Sequence, residues 1–182
     1  MYKKIFNRFH SQIDLPFQET KQVYLEEIFK ILEKEFDLQK NSKQFFLDLG
    51  SGTGHVVIYS AINYGIRSVG IEIDPILIKE AEKTIRFLRR NKISKIKGLH
   101  KITLLHGDFY THNLKNYNFI YIYSLPTMQK YLKHVFQTAK GGAIVISHVY
   151  PLESLTKYLE FKLKLEHKND NQEISTFFYR RI

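Results

Sequence analysis

The sequence predicts an α/β fold: a doubly wound, mostly parallel sheet with a C-terminal antiparallel hairpin. From residue 20 to residue 148, apolar runs of strand length alternate with amphipathic stretches of helical period. The loop Gly50-Ser51-Gly52-Thr53-Gly54 follows the first such run directly, and acidic residues, Glu72 and Asp108, stand at the ends of the next two. The chain closes on two β-rich segments around a polar turn.

Each element has its own signal. Thr20 to Phe36 reads as a helix, because Leu25, Ile28, Leu32 and Phe36 recur at three- and four-residue steps while Glu26, Glu27, Glu33 and Lys34 fall largely off that face. Gln44 to Leu49 reads as a buried strand, and His55 to Tyr64 as the helix after the glycine loop. Arg67 to Ile73 alternates into a second strand. Asp74-Pro75 supplies an N-cap and a first-turn proline for a helix with the stripe Ile78, Ala81, Ile85 and Leu88. Ile102 to Phe109 makes a third strand ending in Gly-Asp-Phe, and Asn118 to Tyr123 a fourth, followed by a helix over Met128 to Thr138. Gly141-Gly142 turns into a fifth strand, Ala143 to His148. Leu159 to Glu166 and Ser175 to Arg180 form the hairpin, with Lys168 to Asn171 as its turn. One domain results, with an N-terminal helical segment over 1–43, a ligand-binding core over 44–150 and the closing hairpin over 151–182. Its ligand is expected outside the carboxyl ends of the strands.

The glycine spacing separates two cofactor classes. A dinucleotide fingerprint, G-x-G-x-x-G, would place its third glycine at position 55, which is His55. The observed G-x-G-x-G, with Asp48 just upstream, resembles motif I of the class I S-adenosylmethionine-dependent methyltransferases, which are Rossmann-like. Glu72 lies roughly 20 residues past the glycines, where a carboxylate can accept both hydroxyls of a ribose. In the family resembled, an acid at the position of Asp108 takes the adenine amino group and its neighbour, here Phe109, lines the ring. The resemblance implies S-adenosyl-L-methionine as cofactor and S-adenosyl-L-homocysteine as product.

The tip of the fourth strand narrows the class. Amino-group methyltransferases acting on adenine or glutamine carry Asp/Asn-Pro-Pro-Tyr/Phe there, whereas this chain has Tyr123-Ser124-Leu125-Pro126. It also lacks the aspartate of the magnesium-dependent catechol type and of the ribose-methylating type. Two groups of non-SET protein-lysine methyltransferases are similar instead. The disruptor-of-telomeric-silencing type resembles the chain at Phe17-Gln18-Glu19-Thr20, at Asp48-Leu49-Gly50-Ser51-Gly52-Thr53-Gly54-His55-Val56-Val57, at Gly70-Ile71-Glu72 and at Gly107-Asp108-Phe109. The ATP synthase c-subunit and archaeal lysine methyltransferase type resembles it in size and at Ser124-Leu125-Pro126-Thr127-Met128. Together these imply a cofactor site of Glu19, Thr20, Asp48, Gly50, Ser51, Gly52, Gly54, His55, Glu72, Asp108 and Phe109, and a protein substrate bearing a target lysine. His55 replaces a glutamine of the first group.

A lysine amine, with pKa near 10.4 when free, attacks only when neutral, and an aromatic channel favours that form by desolvation. Tyr123, Phe109, Tyr110 and Phe17 are the channel candidates, with Tyr123 the first choice for a catalytic role. An RNA methyltransferase and a non-catalytic S-adenosylmethionine-binding protein are the alternatives.

Composition bounds the rest. With 182 residues, 43% hydrophobic, the chain suits one globular domain. Its net charge of +10 peaks in the run from Lys83 to Lys101, which leaves nucleic acid open as a partner. Zero cysteines exclude disulfides, cysteine-nucleophile chemistry, thiolate zinc and iron–sulfur clusters, and fit a reducing, cytoplasmic setting. There is no apolar run approaching ~20 residues, so no membrane span is expected. The basic N-terminus lacks the apolar stretch of a secretory signal. His106 and His112 flank Asp108 without a third ligand, so no metal is expected.

Overall fold

The structure, a computed structural model, describes residues 19–90, 98–169 and 172–182. Phe17 and Gln18, the basic residues Lys92, Lys95 and Lys97, and the middle of the hairpin turn lie outside the described residues.

Seven strands form one sheet, in the order β3-β2-β1-β4-β5-β7-β6. They are β1 (Phe45–Leu49), β2 (Arg67–Glu72), β3 (Ile102–His106), β4 (Phe119–Ile122), β5 (Ile144–His148), β6 (Leu159–Asn169) and β7 (Gln172–Arg181). The pairs among β1 to β5 are parallel, whereas β7 runs antiparallel to both β5 and β6. Among the described residues four helices flank them: α1 (Gln22–Glu35) ahead of β1, then α2 (His55–Tyr64), α3 (Pro75–Arg90) and α4 (Pro126–Gln137) between strands. Chain order reverses between β1 and β4, which opens a crevice at their carboxyl ends.

Period-two alternation divides the core between the two faces. Leu47, Leu49, Ile120, Ile122 and Val145 pack with Leu132, Val135 and Phe136 of α4. Phe46, Phe119, Tyr121, Ile144, Ile146 and Phe178 pack with α1 and with Val56 and Tyr64 of α2. Tyr24, Leu25, Ile28, Phe29 and Leu32 are the buried face of α1, as the sequence periodicity requires. In α3, Ile78, Ala81 and Ile85 are buried as expected, while Leu88 is only half-buried.

Ends shift where side chains compete. The first helix starts at Gln22 rather than Thr20, because the Thr20 hydroxyl is drawn inward to Tyr121 Oη at 2.8 Å. The third strand ends at His106 rather than Phe109, because Asp108 accepts the Tyr110 amide and starts a 3-10 turn over Phe109–Thr111. Helix α4 starts two residues early, since Pro126 at its first position needs no amide partner.

Phe29 is fully buried and its ring lies 5.0 to 5.3 Å from those of Phe46, Tyr59 and Tyr64. Phe29→Ala should therefore cost about 3–5 kcal/mol. Urea unfolding measures it, and a loss under about 1 kcal/mol would mean that α1 does not anchor this face.

Candidate functional site

The glycine loop owes its shape to three positive φ angles, 81° at Gly50, 52° at Gly52 and 79° at Gly54, a region that side chains with a Cβ rarely adopt. The Gly50 and Ser51 amides both donate to the Ile71 carbonyl at 2.9 Å, which lays the loop on β2. Gly70 makes room for it: a Cβ there would come within 2.6 Å of Ser51 Oγ. Gly70 thus has a role in the site that spacing alone did not reveal.

Glu72 fastens the loop from the other side. Its Oε2 accepts the Gly52 amide at 2.8 Å, while Oε1 accepts those of Ile73 at 2.8 Å and Asp74 at 2.9 Å. A carboxylate has about four acceptor positions, so at least one remains for a ligand hydroxyl. Asp48 is buried in β1, paired in register with Gly70 and with Tyr121. Burial first, and the charge of Glu72 second, push its pKa well above the usual carboxylate range. Phe109 reaches over the loop, with its ring 3.7 Å from where a Cβ on Gly50 would stand. Asp108 is exposed beside it, with Oδ1 engaged by the Tyr110 amide at 2.8 Å.

The segment before α1 joins the same site. Glu19 Oε1 accepts from the Thr53 hydroxyl at 3.3 Å and lies 3.4 Å from His55 Nδ1. Thr20, through its bond to Tyr121, is fixed to the centre of the sheet. Ser51 Oγ and His55 Nε2 are buried with no hydrogen-bond partner among the described residues. Orphaned polar atoms beside positive-φ glycines and a carboxylate with spare acceptor capacity suit an adenosyl cofactor. Glu19, His55, Glu72 and Phe109 thus lie against the glycine loop, while the side-chain hydrogen bonds of Thr20 and Asp108 run to Tyr121 and Tyr110.

Tyr123 adjoins that group through Glu19 and Thr20. It lines a cavity of about 40 Å³ with Glu19, Thr20, Tyr24, His148 and Val149. Its ring lies 5.8 Å from that of His148 and 6.2 Å from that of Tyr150. Tyr110 lies instead against Phe109, at 4.5 Å. The Ser124 hydroxyl, at the tip of β4, is buried without a partner among the described residues. A larger cavity of about 260 Å³, lined by Glu35, Asp37, Asn118 and Arg180, lies at the amino ends of the strands and away from every predicted site residue.

Parts of the basic run are engaged within the fold. Arg89 donates to the Leu99 carbonyl at 3.0 Å, Arg86 pairs with Glu82 at 3.8 Å, and Lys101 Nζ donates to the Gly65 carbonyl. His106 Nε2 contacts the Ile73 carbonyl and His112 Nε2 the Tyr117 hydroxyl. Among the described residues no group of three or more His, Asp or Glu side chains could hold a metal, and no helix is long and apolar enough to cross a membrane.

Sheet order, glycine loop and paired carboxylates define a class I S-adenosylmethionine-dependent methyltransferase. The chain belongs to the family of the ANTKMT methyltransferase domain, whose model matches residues 48–159. It is similar in structure to an RNA methyltransferase from Salinibacter ruber in complex with S-adenosyl-L-homocysteine, with a TM-score of 0.70 and 23% identity over 90% of this chain and 94% of that one. It is also similar to magnesium protoporphyrin IX methyltransferase (ChlM) from Synechocystis PCC 6803 with bound S-adenosylmethionine, with a TM-score of 0.68 and 13% identity over 97% and 91% of the two chains. These likenesses establish the fold. In sequence, 80 residues are 34% identical to the U6 snRNA methylphosphate capping enzyme Amus of Drosophila melanogaster, covering 43% of this chain and 26% of that protein. The chain thus matches about a quarter of that relative's length.

A carboxyl whose folded pKa is raised favours folding most below its unfolded value near 3.9 and disfavours it once pH exceeds that value. Asp48→Asn should therefore raise the melting temperature of the cofactor-free protein at pH 7, and the gain should shrink as pH falls toward 4. Thermal unfolding across that range checks this; an Asn variant less stable at pH 7 would show that the buried carboxylate is a net stabiliser.

Proposed function

We propose that the chain transfers methyl groups from S-adenosylmethionine to the side-chain amine of a lysine in a protein. The cavity at the ends of β4 and β5 carries this reading. It is small, lined by Tyr24 and Tyr123 together with Lys21 and Ile174, and joined to the glycine loop through Glu19. Its volume of about 40 Å³ is close to that of one water molecule in the liquid, so it admits the tip of an unbranched chain more readily than a planar base. Membership of the ANTKMT family and the resemblance to non-SET lysine methyltransferases at Glu19-Thr20, Gly107-Asp108-Phe109 and Ser124-Leu125-Pro126 support the same reading.

In this reading Glu72 accepts from the ribose hydroxyls, Asp108 and Phe109 hold the adenine, and Asp48, Ser51, Gly52, Gly54, His55, Glu19 and Thr20 surround the remainder. When bound, the cofactor supplies the electrophilic methyl group. Tyr123 and Tyr24 desolvate the entering amine, which favours its neutral form, and hold it in line for attack.

An RNA acceptor is the second reading. It is favoured by the local similarity to an RNA capping enzyme and by the net charge of +10.

Labelled methyl transfer from S-adenosylmethionine into lysate, with protease and ribonuclease controls, tests the two. Label should be protease-sensitive and located on lysine by mass spectrometry; label in nucleic acid alone would move the assignment to RNA. For the cofactor site, Glu72→Ala should weaken adenosylhomocysteine binding by about 1.5–3 kcal/mol, the value of a hydrogen bond to a charged group. Calorimetry giving an unchanged dissociation constant would remove Glu72 from the site.

A further inference from the structure

A line of four polar side chains runs from the aromatic cavity to the protein surface. His148 ends β5 and lines the cavity, with its Nδ1 2.8 Å from Thr176 Oγ1. The same hydroxyl lies 2.8 Å from His167 Nε2, and His167 Nδ1 lies 2.5 Å from Glu27 Oε2. His148 and His167 are each 3% exposed and Thr176 is fully buried, whereas the Glu27 side chain is 42% exposed. The line therefore joins the cavity to water at a second point, through the β5–β7–β6 edge and helix α1.

Its far end fixes the protons. Ionised Glu27 can only accept, so His167 carries hydrogen on Nδ1. With its single ring hydrogen on Nδ1, His167 would accept at Nε2 from the Thr176 hydroxyl, whose oxygen would accept in turn from His148 Nδ1–H. His148 is left with a lone pair on Nε2, the nitrogen not used by Thr176. Burial above all lowers the His148 pKa to about 3, so the resting ring is neutral with one nitrogen free to accept. The aromatic rings of Tyr24, Tyr121 and Tyr123 lie 5.8, 6.2 and 5.8 Å from it.

The backbone beside His148 is strained. Val149, a β-branched residue, has φ of 70°, and the Tyr150 amide donates to the His148 carbonyl at 2.9 Å, closing a rare form of γ-turn. Val149 N–H is held by the Ser175 carbonyl at 2.8 Å. Strain of this kind persists where surrounding structure fixes a residue for function.

We propose that His148 is the catalytic base for the acceptor amine, and that Thr176, His167 and Glu27 carry its proton to solvent. This rests on the lysine reading above. An N–H bond of the acceptor ammonium breaks as Nε2–H forms on His148. Nδ1–H of His148 passes to Thr176 Oγ1, the threonine proton to His167 Nε2, and Nδ1–H of His167 to Glu27. One proton moves from ammonium to carboxylate, and the amine keeps its lone pair. Glu27 releases the proton to water. Once the product has left, the reverse passage with the cavity open to solvent restores the starting tautomers.

The test combines a tautomer measurement with kinetics. Long-range ¹H–¹⁵N spectra of the histidine-labelled wild-type protein should show hydrogen on Nδ1 of His148, with Nε2 bare. Hydrogen on Nε2 would overturn the proposal without any variant. With lysate protein as acceptor at saturating S-adenosylmethionine, His148→Gln should lower the maximal rate by about 10²-fold or more, the usual share of a general base. Thr176→Val should lower it roughly tenfold, while Thr176→Ser, which keeps the hydroxyl, restores most of it. Adenosylhomocysteine affinity should stay unchanged in all three. Rates within about twofold of wild type in both His148→Gln and Thr176→Val would overturn the relay even where label is found on lysine. Label in nucleic acid alone would instead overturn the lysine reading, and with it the ammonium as the proton's source.

Discussion

The Glu72 carboxylate ties together two backbone segments that the sheet alone would leave independent. One oxygen takes the amide of Gly52 in the glycine loop, and the other takes those of Ile73 and Asp74 in the turn leading to α3. Hydrogen bonds to a charged acceptor are among the stronger ones available to a loop. Through this one side chain, β2 sets the position of the loop after β1. The fit depends on Gly70, since a side chain there would meet Ser51. The rest of the crevice is arranged around this fixed point.

A second set of contacts ties the segment ahead of α1 to the sheet and the loop. The Thr20 hydroxyl binds Tyr121 in β4, and Glu19 beside it reaches Thr53 and His55. The segment ahead of α1 thereby touches both the glycine loop and the aromatic cavity. Glu19 and Thr20 thus line the cavity beside Tyr123 while Glu19 also touches the glycine loop. A methyltransferase needs donor and acceptor sites to adjoin, because the two must meet in line.

Most of the fold was legible because it follows from period. Strand alternation and helical stripes gave α2 its ends, Pro75 the start of α3, and the hairpin its antiparallel sense. The cofactor loop was equally legible, since three glycines with positive φ leave a spacing that few other structures need. What stayed hidden was pairing at long range. Thr20 with Tyr121 spans 101 positions and His167 with Glu27 spans 140. His148, His167 and Thr176 sit in strands as ordinary alternating residues, and no local motif marks them. Val149 likewise reads as a good strand residue, yet it turns the chain out of β5. Such contacts depend on which strands become neighbours, and the insertion of β7 between β5 and β6 decides that.

The polar groups at the carboxyl end of the sheet also oppose folding, which explains how the site is distributed. Asp48 is buried near the charge of Glu72, and His148 is buried with its ring 5.7 Å from that of His167. Burial disfavours the charged form of Asp48 and of His148. A cationic ligand near the two carboxylates would relieve the first, and the Thr176 hydroxyl, 2.8 Å from His148 Nδ1, gives the second a hydrogen-bond partner. The same groups that weaken the empty fold therefore gain most from what the crevice takes in or passes on. Stability has to come from elsewhere, and it does: the fully buried aromatic rings Phe29, Phe46, Phe119, Phe136 and Phe178 pack on both faces of the sheet beneath the crevice. Dispersion and burial there offset the cost of a polar end, so the strands can hold strained and charged groups at their tips without losing register.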